Sequence, residues 1–137
     1  MEPMGMRGLI LGMCQAADSQ TILVVEDEPL IRMCAVAILQ DAGYRVLEAQ
    51  NSAEALDVLS QHSEISIMVT DVHMPGHMDG LALVTWVQLN NPSIRAIVVS
   101  GNATAAQAGK AGAFGFVAKP YMPDTILKAV HDTVLRH

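Results

Sequence analysis

Apolar positions along the chain fall into two alternating rhythms. Short continuous runs rich in β-branched residues are each followed by a stretch where apolar residues recur every three or four positions. Thr21-Ile22-Leu23-Val24-Val25 is the first run, of the kind that forms a strand buried on both faces. Pro29 suits a helix start, where its missing N–H costs nothing. Leu30 to Gln40 then shows helical spacing, with Leu30, Cys34, Ala37 and Ile38 on one stripe and Gly43 as the stop. Tyr44 to Ala49 reads as a second strand. Asn51, three residues before Glu54, reads as the cap of a helix whose apolar face is Ala55, Leu56, Val58 and Leu59. Ile65 to Thr70 is the third strand, ending at Asp71. Leu81 to Asn90 follows as a helix with Leu83, Val84 and Val87 inward, closed by Asn90-Asn91-Pro92. Ile94 to Val99 is the fourth strand, and Ala103 to Ala111 a helix whose only apolar residues are alanines. Ala113 to Ala118 is the fifth strand. Pro123 and Asp124 open a last helix with the stripe Ile126, Ala129, Val130, Thr133 and Val134.

Five strand–helix units in sequence predict an α/β domain: a doubly wound parallel sheet with helices on both faces. Residues 1–19 are rich in Met and Gly and show no clear period, so they read as an N-terminal tail, with 20–137 as the domain. The short apolar patch behind Arg7 lacks a convincing cleavage site and reads as an extension rather than a signal peptide.

Composition narrows the class. Of 137 residues, 51% are hydrophobic and 16% charged, which is globular. Aromatics are scarce, so the core must be aliphatic. The net charge of −6, with no run of Lys or Arg, argues against a nucleic-acid partner. No stretch approaches the ~18 consecutive apolar residues of a membrane helix. Cys14 and Cys34 have neither disulfide nor metal spacing, which fits a reducing cytoplasm, and Cys34 reads as a small core residue.

The candidate chemistry lies at the strand ends. Glu26, Asp27 and Glu28 follow the first strand, Asp71 the third, Ser100 the fourth and Lys119 the fifth. A parallel sheet brings these ends to one edge, where open α/β sheets bind their ligands. Crowded carboxylates repel each other and need a neutralising cation. Oxygen ligands alone select a hard ion such as Mg²⁺. A carboxylate beside Mg²⁺, a Lys and a hydroxyl is suited to accept a phosphoryl group: metal and ammonium stabilise the transferring oxygens, and the carboxylate is the nucleophile.

From about Thr21 onward the chain resembles the receiver domain of two-component response regulators, of the single-domain, chemotaxis-regulator-like kind. The residues that carry the resemblance are Glu26-Asp27, Asp71 with Met74-Pro75 and Asp79-Gly80, Ser100-Gly101, and Lys119-Pro120. The resemblance implies a flavodoxin-like fold of five strands in the order 2-1-3-4-5 and five helices. It implies that Asp71 is the phospho-acceptor. Asp27, Asp71 and the His73 backbone carbonyl would hold Mg²⁺ (or Mn²⁺), with Glu26 helping through water. Lys119 would pair with the phosphoryl group, Ser100 would move toward it, and Gly101 would leave room. Phe116 would be the switch aromatic, and His73 and Asn102 would tune phosphoryl lifetime. The partners implied are a sensor histidine kinase or histidine phosphotransfer protein and a downstream protein. A homodimer would use the face made by the fourth helix, fifth strand and fifth helix. With no output domain after the last helix, the expectation is a stand-alone cytoplasmic switch that catalyses only its own phosphorylation and dephosphorylation.

Two features depart from the family. Gly76-His77-Met78 makes the loop after Asp71 one residue longer than the commonest form. The Ala-rich fourth helix has few large side chains to bury, so it should be loosely held and cheap to shift. His73 and His77 are expected to be exposed loop residues rather than a zinc site. A degenerate receiver acting as an unphosphorylated interaction module is the alternative, against which Asp27, Asp71, Ser100 and Lys119 all stand intact. A haloacid-dehalogenase-type phosphatase would need an acid where Pro29 stands. A flavin mononucleotide site would be repelled by Glu26-Asp27-Glu28.

Overall fold

The computed structural model describes residues 20–136; the expected tail, 1–19, lies outside them. The elements alternate through the chain: β1 (Thr21–Val25), α1 (Pro29–Asp41), β2 (Arg45–Ala49), α2 (Ser52–Gln61), β3 (Ile65–Asp71), α3 (Gly80–Asn90), β4 (Arg95–Ser100), α4 (Ala105–Ala111), β5 (Gly115–Ala118) and α5 (Pro123–Leu135). The strands form one sheet in the order β2-β1-β3-β4-β5, and every pairing is parallel. This is the doubly wound α/β fold expected. The strand order reverses beside β1, so the carboxyl ends of β1 and β3 flank the crevice where such sheets hold ligands.

Side-chain alternation along the strands builds two cores. Leu23, Val25, Met68 and Val98 point to one face, where Ala55 of α2, Leu83, Val84 and Val87 of α3 and Ala108 of α4 cover them. Ile22, Val24, Ile67, Val69, Ile97 and Val99 point to the other, under Ala35, Val36 and Leu39 of α1 and Ile126 and Val130 of α5. The inward faces expected for α3 and α5 are therefore the buried ones. The Asn51 cap is also present, its side chain accepting from the Glu54 N–H at 2.8 Å.

The face expected for α1 is the wrong one. Ala35, Val36 and Leu39 are buried, whereas Leu30 is 70% exposed and Cys34 is exposed. Cys34 is thus not a core residue. Trp86 of α3 is also exposed. Helix α1 carries apolar residues nearly all round, so spacing alone could not choose between its faces. Its unburied apolar side remains on the surface.

Helix α4 begins later than expected, at Ala105, because Thr104 caps it. Thr104 Oγ1 accepts from the Gln107 N–H at 3.1 Å, and the Gln107 side chain accepts from the Thr104 N–H at 2.8 Å. This reciprocal capping box satisfies two otherwise orphaned donors. Gly112 closes the helix with φ +104°, a left-handed conformation that suits glycine. Between these ends Ala108 is its buried residue, and one methyl contributes only about 0.8 kcal/mol. The helix is held by its caps more than by its packing. Amide exchange in α4 should run at least about tenfold faster than in α3 or α5; equal protection by mass-resolved exchange would contradict this.

Candidate functional site

The crevice is assembled from four strand ends. After β1, the Glu26 N–H still bonds the Ala49 carbonyl at 3.0 Å, which carries the β1–β2 ladder one residue into the loop. Glu26 is consequently 5% exposed, an unusual place for an acid unless it is paired. It is paired: Lys119 Nζ donates to Glu26 Oε1 at 2.7 Å, and the Glu28 N–H donates to Oε2 at 3.2 Å. Asp27, the next residue, is exposed.

Asp71 closes β3. The Val72 N–H donates to its Oδ1 at 2.8 Å, and its Oδ2 lies 3.3 Å from Lys119 Nζ. Its backbone is fixed by the start of α3. The Gly80 N–H bonds the Val72 carbonyl at 2.8 Å, and Asp79 caps the helix by accepting from the Ala82 N–H at 2.8 Å. Gly80 lies so close that a Cβ there would overlap the Asp71 carbonyl oxygen and stand 2.9 Å from Val72 Cα. The Asp79-Gly80 pair therefore does two separate jobs, a cap and a close approach.

Lys119 follows β5, at a cis bond to Pro120. Burial alone would lower its ammonium pKa. The hydrogen bond it donates to Glu26 and the charges of Asp71 and Glu26 outweigh that, so it is raised above 10.5. A raised ammonium pKa leaves the group fully protonated below the free value, and its stabilising contribution fades only as pH climbs through the higher folded one. Lys119 is a fixed cation across the neutral range.

Glu26, Asp27 and Asp71 each offer a carboxylate oxygen, and these lie within 4.8 Å of one another. Such a donor set suits a hard divalent cation. Asp27 is the exposed member of the three, Asp71 is half-buried and Glu26 is buried.

The remaining expected residues occupy the rim. Ser100 is buried, and its Oγ accepts from the N–H groups of Asn102 at 3.2 Å and Ala103 at 2.9 Å. It stabilises the turn before α4 rather than capping the helix itself. A methyl at Gly101 would meet Lys119 Cβ at 3.8 Å, ordinary contact; in this conformation the glycine is not required for space. Phe116 is half-buried against the core under α2–α4. His73, His77 and Asn102 are exposed. Two features escaped the sequence. Arg32 grips the Glu26 carbonyl with Nη1 at 2.7 Å. An open apolar groove of about 830 Å³ is lined by Leu30, Ile31, Cys34, Ile38, Tyr121 and Pro123, with Lys119 and Pro120 also on its wall.

A parallel sheet with a lysine-bridged acidic cluster at its carboxyl edge places the chain among the doubly wound α/β proteins. Within that class, the chain belongs to the response regulator receiver domain family, whose model matches residues 22–131. Receiver domains are switches of two-component signalling that engage histidine kinases and phosphotransfer proteins, and phosphorylation and Mg²⁺ are general properties of the family. The sensor kinase CckA of Brucella abortus is 43% identical over 107 residues, covering 75% of this chain but 11% of the kinase. An NtrX-like putative response regulator of Rickettsia bellii is 34% identical, and the chain spans 23% of its length. A chemotaxis protein CheY homolog of Campylobacter jejuni is 31% identical, covering 82% of this chain and 91% of the relative.

Solved structures agree. A receiver domain protein from Clostridium thermocellum has a TM-score of 0.79 at 27% identity, over 85% of this chain and 95% of that one. TrrA of Thermotoga maritima, solved in complex with Mg²⁺ and BeF, scores 0.75 at 27% identity, over 82% and 97%. The beryllofluoride-activated NtrC4 receiver domain dimer scores 0.77 at 28% identity, over 85% and 97%.

Proposed function

We propose that this receiver takes a phosphoryl group onto Asp71 from a histidine kinase or phosphotransfer protein. One observation carries the reading: three carboxylates within 4.8 Å, two of them bridged by one lysine. An Asp71 oxygen attacks phosphorus, the bond to the donor imidazole breaks, and an acyl phosphate forms. Asp27 and Asp71, with the His73 backbone carbonyl, would hold Mg²⁺, or Mn²⁺ in its place. A cation held there would supply positive charge to the transferring oxygens. Lys119 supplies the second positive charge and is already oriented at Asp71. Attack of water on the acyl phosphate resets the site, with His73 and Asn102 flanking it and tuning its lifetime.

The switch reading follows from how loosely α4 is held. Ser100 Oγ would exchange its turn N–H partners for a phosphoryl oxygen, Phe116 would turn inward, and the α4–β5–α5 face would change. That face would meet a downstream protein or a second copy of the chain; dimerisation of the NtrC4 receiver supports the second. Relatives carry the domain both ways: it makes up nearly all of the CheY homolog and a small part of the sensor kinase and the NtrX-like regulator.

Incubation with acetyl phosphate and Mg²⁺, followed by intact mass measurement, tests the reading. We expect a gain of one phosphoryl group, lost in Asp71→Asn and in the presence of a chelator. No gain at any Mg²⁺ concentration would favour the unphosphorylated interaction module instead.

A further inference from the structure

We infer that Arg32 is a positioning residue for the cation site, acting through the Glu26–Asp27 peptide; the inference rests on the cation reading proposed above. Each acid of the cluster needs its direction fixed. Asp71 has the Val72 N–H and the start of α3 against it. Glu26 has Lys119 and the Glu28 N–H. Asp27 is exposed, so its direction depends on its backbone. That backbone has just left the sheet: the last ladder bond is Glu26 N–H to Ala49 carbonyl. The next acceptor, the Glu26 carbonyl, shares a peptide plane with the Asp27 N–H, and Arg32 Nη1 holds it at 2.7 Å.

The guanidinium is itself held. Its Nε donates to Glu48 Oε1 at 3.1 Å, and its side chain is 18% exposed. Glu48 lies on β2 beside Ala49, in register with Val24 of β1. Of the two peptides that flank Asp27, the later one is held by its Glu28 N–H on Glu26 Oε2, and Arg32 ties the earlier one to α1 and β2. Arginine's planar fork satisfies both contacts at once, and a lysine cannot.

Charge and positioning predict opposite signs here. A guanidinium close to a cation site repels the cation, so on charge alone Arg32→Met should tighten divalent binding. If Arg32 acts by holding the peptide, the same change should weaken it. We expect Mn²⁺ binding to the free protein, read by electron paramagnetic resonance, to weaken about tenfold in Arg32→Met, the low end for groups that orient metal ligands. Arg32→Lys keeps the charge but loses the fork, and should weaken it about threefold. In phosphorylation by acetyl phosphate the Mg²⁺ concentration for half-maximal rate should rise by the same factor; a slower reaction with unchanged Mg²⁺ dependence overturns the inference. A folded Arg32→Met that binds Mn²⁺ as tightly as wild type, or more tightly, overturns the inference. If Arg32→Met does not fold, wild-type affinity in Arg32→Lys overturns it equally. Wild type that binds no Mn²⁺ overturns the cation reading itself, a different result from any of these.

Discussion

Gly80→Ala should abolish the site by displacing Asp71. The added Cβ would overlap the Asp71 carbonyl oxygen and stand 2.7 Å from its carbonyl carbon and 2.9 Å from Val72 Cα. All three are backbone atoms, so no side chain can swing away. Either α3 lifts from the end of β3 or β3 retreats, and both break the Gly80 N–H to Val72 carbonyl bond. The loss should be roughly 3 kcal/mol, the upper part of the usual overpacking range. It should be measured by urea denaturation beside the phosphorylation yield. Gly109→Ala, on α4 and with nothing within 4 Å of its added methyl, is the matched control. If Gly80→Ala phosphorylates and unfolds like wild type, the close approach at α3 does not position Asp71.

Lys119→Met should separate binding from transfer. In the structure Lys119 occupies Glu26 and Asp71 at 2.7 and 3.3 Å, so it competes with a divalent cation for the same carboxylates. Removing it leaves three acids without their cation, and Mn²⁺ should bind more tightly. Transfer should nevertheless slow by about 10²-fold or more at saturating Mg²⁺, the usual cost of losing one group aimed at developing charge. Without divalent ions the variant should be less stable than wild type, because Glu26 is left buried and unpaired. Added Mg²⁺ should recover much of that loss. Weaker Mn²⁺ binding together with unchanged transfer would reverse the assignment.

Much of this site was legible because a parallel sheet converts sequence order into spatial order. An apolar run that stops on a carboxylate marks a strand end, and a βαβ chain puts all such ends on one edge. Asp71, Glu26, Asp27, Ser100 and Lys119 could be gathered on that basis. What stayed hidden depended on long-range partners. Arg32 is sixteen positions from Glu48, and nothing local announces their pairing. The buried face of α1 was unreadable because Leu30, Cys34 and Ile38 keep helical spacing as well as Ala35, Val36 and Leu39 do. Their exposure becomes intelligible only once the groove beside Lys119 is in view. The Thr104–Gln107 capping box was written in the sequence as a Thr with Gln three positions on.

The proposed chemistry takes place on one group, the Asp71 carboxylate. An acyl phosphate is reduced by borohydride to the alcohol, which converts a phosphorylated aspartate to homoserine. The protein should be treated with acetyl phosphate and Mg²⁺, reduced, digested and sequenced by mass spectrometry. Homoserine at position 71, absent when Mg²⁺ is chelated, is the result predicted. Reduction at Asp27 or at any other acid, with Asp71 intact, would contradict it.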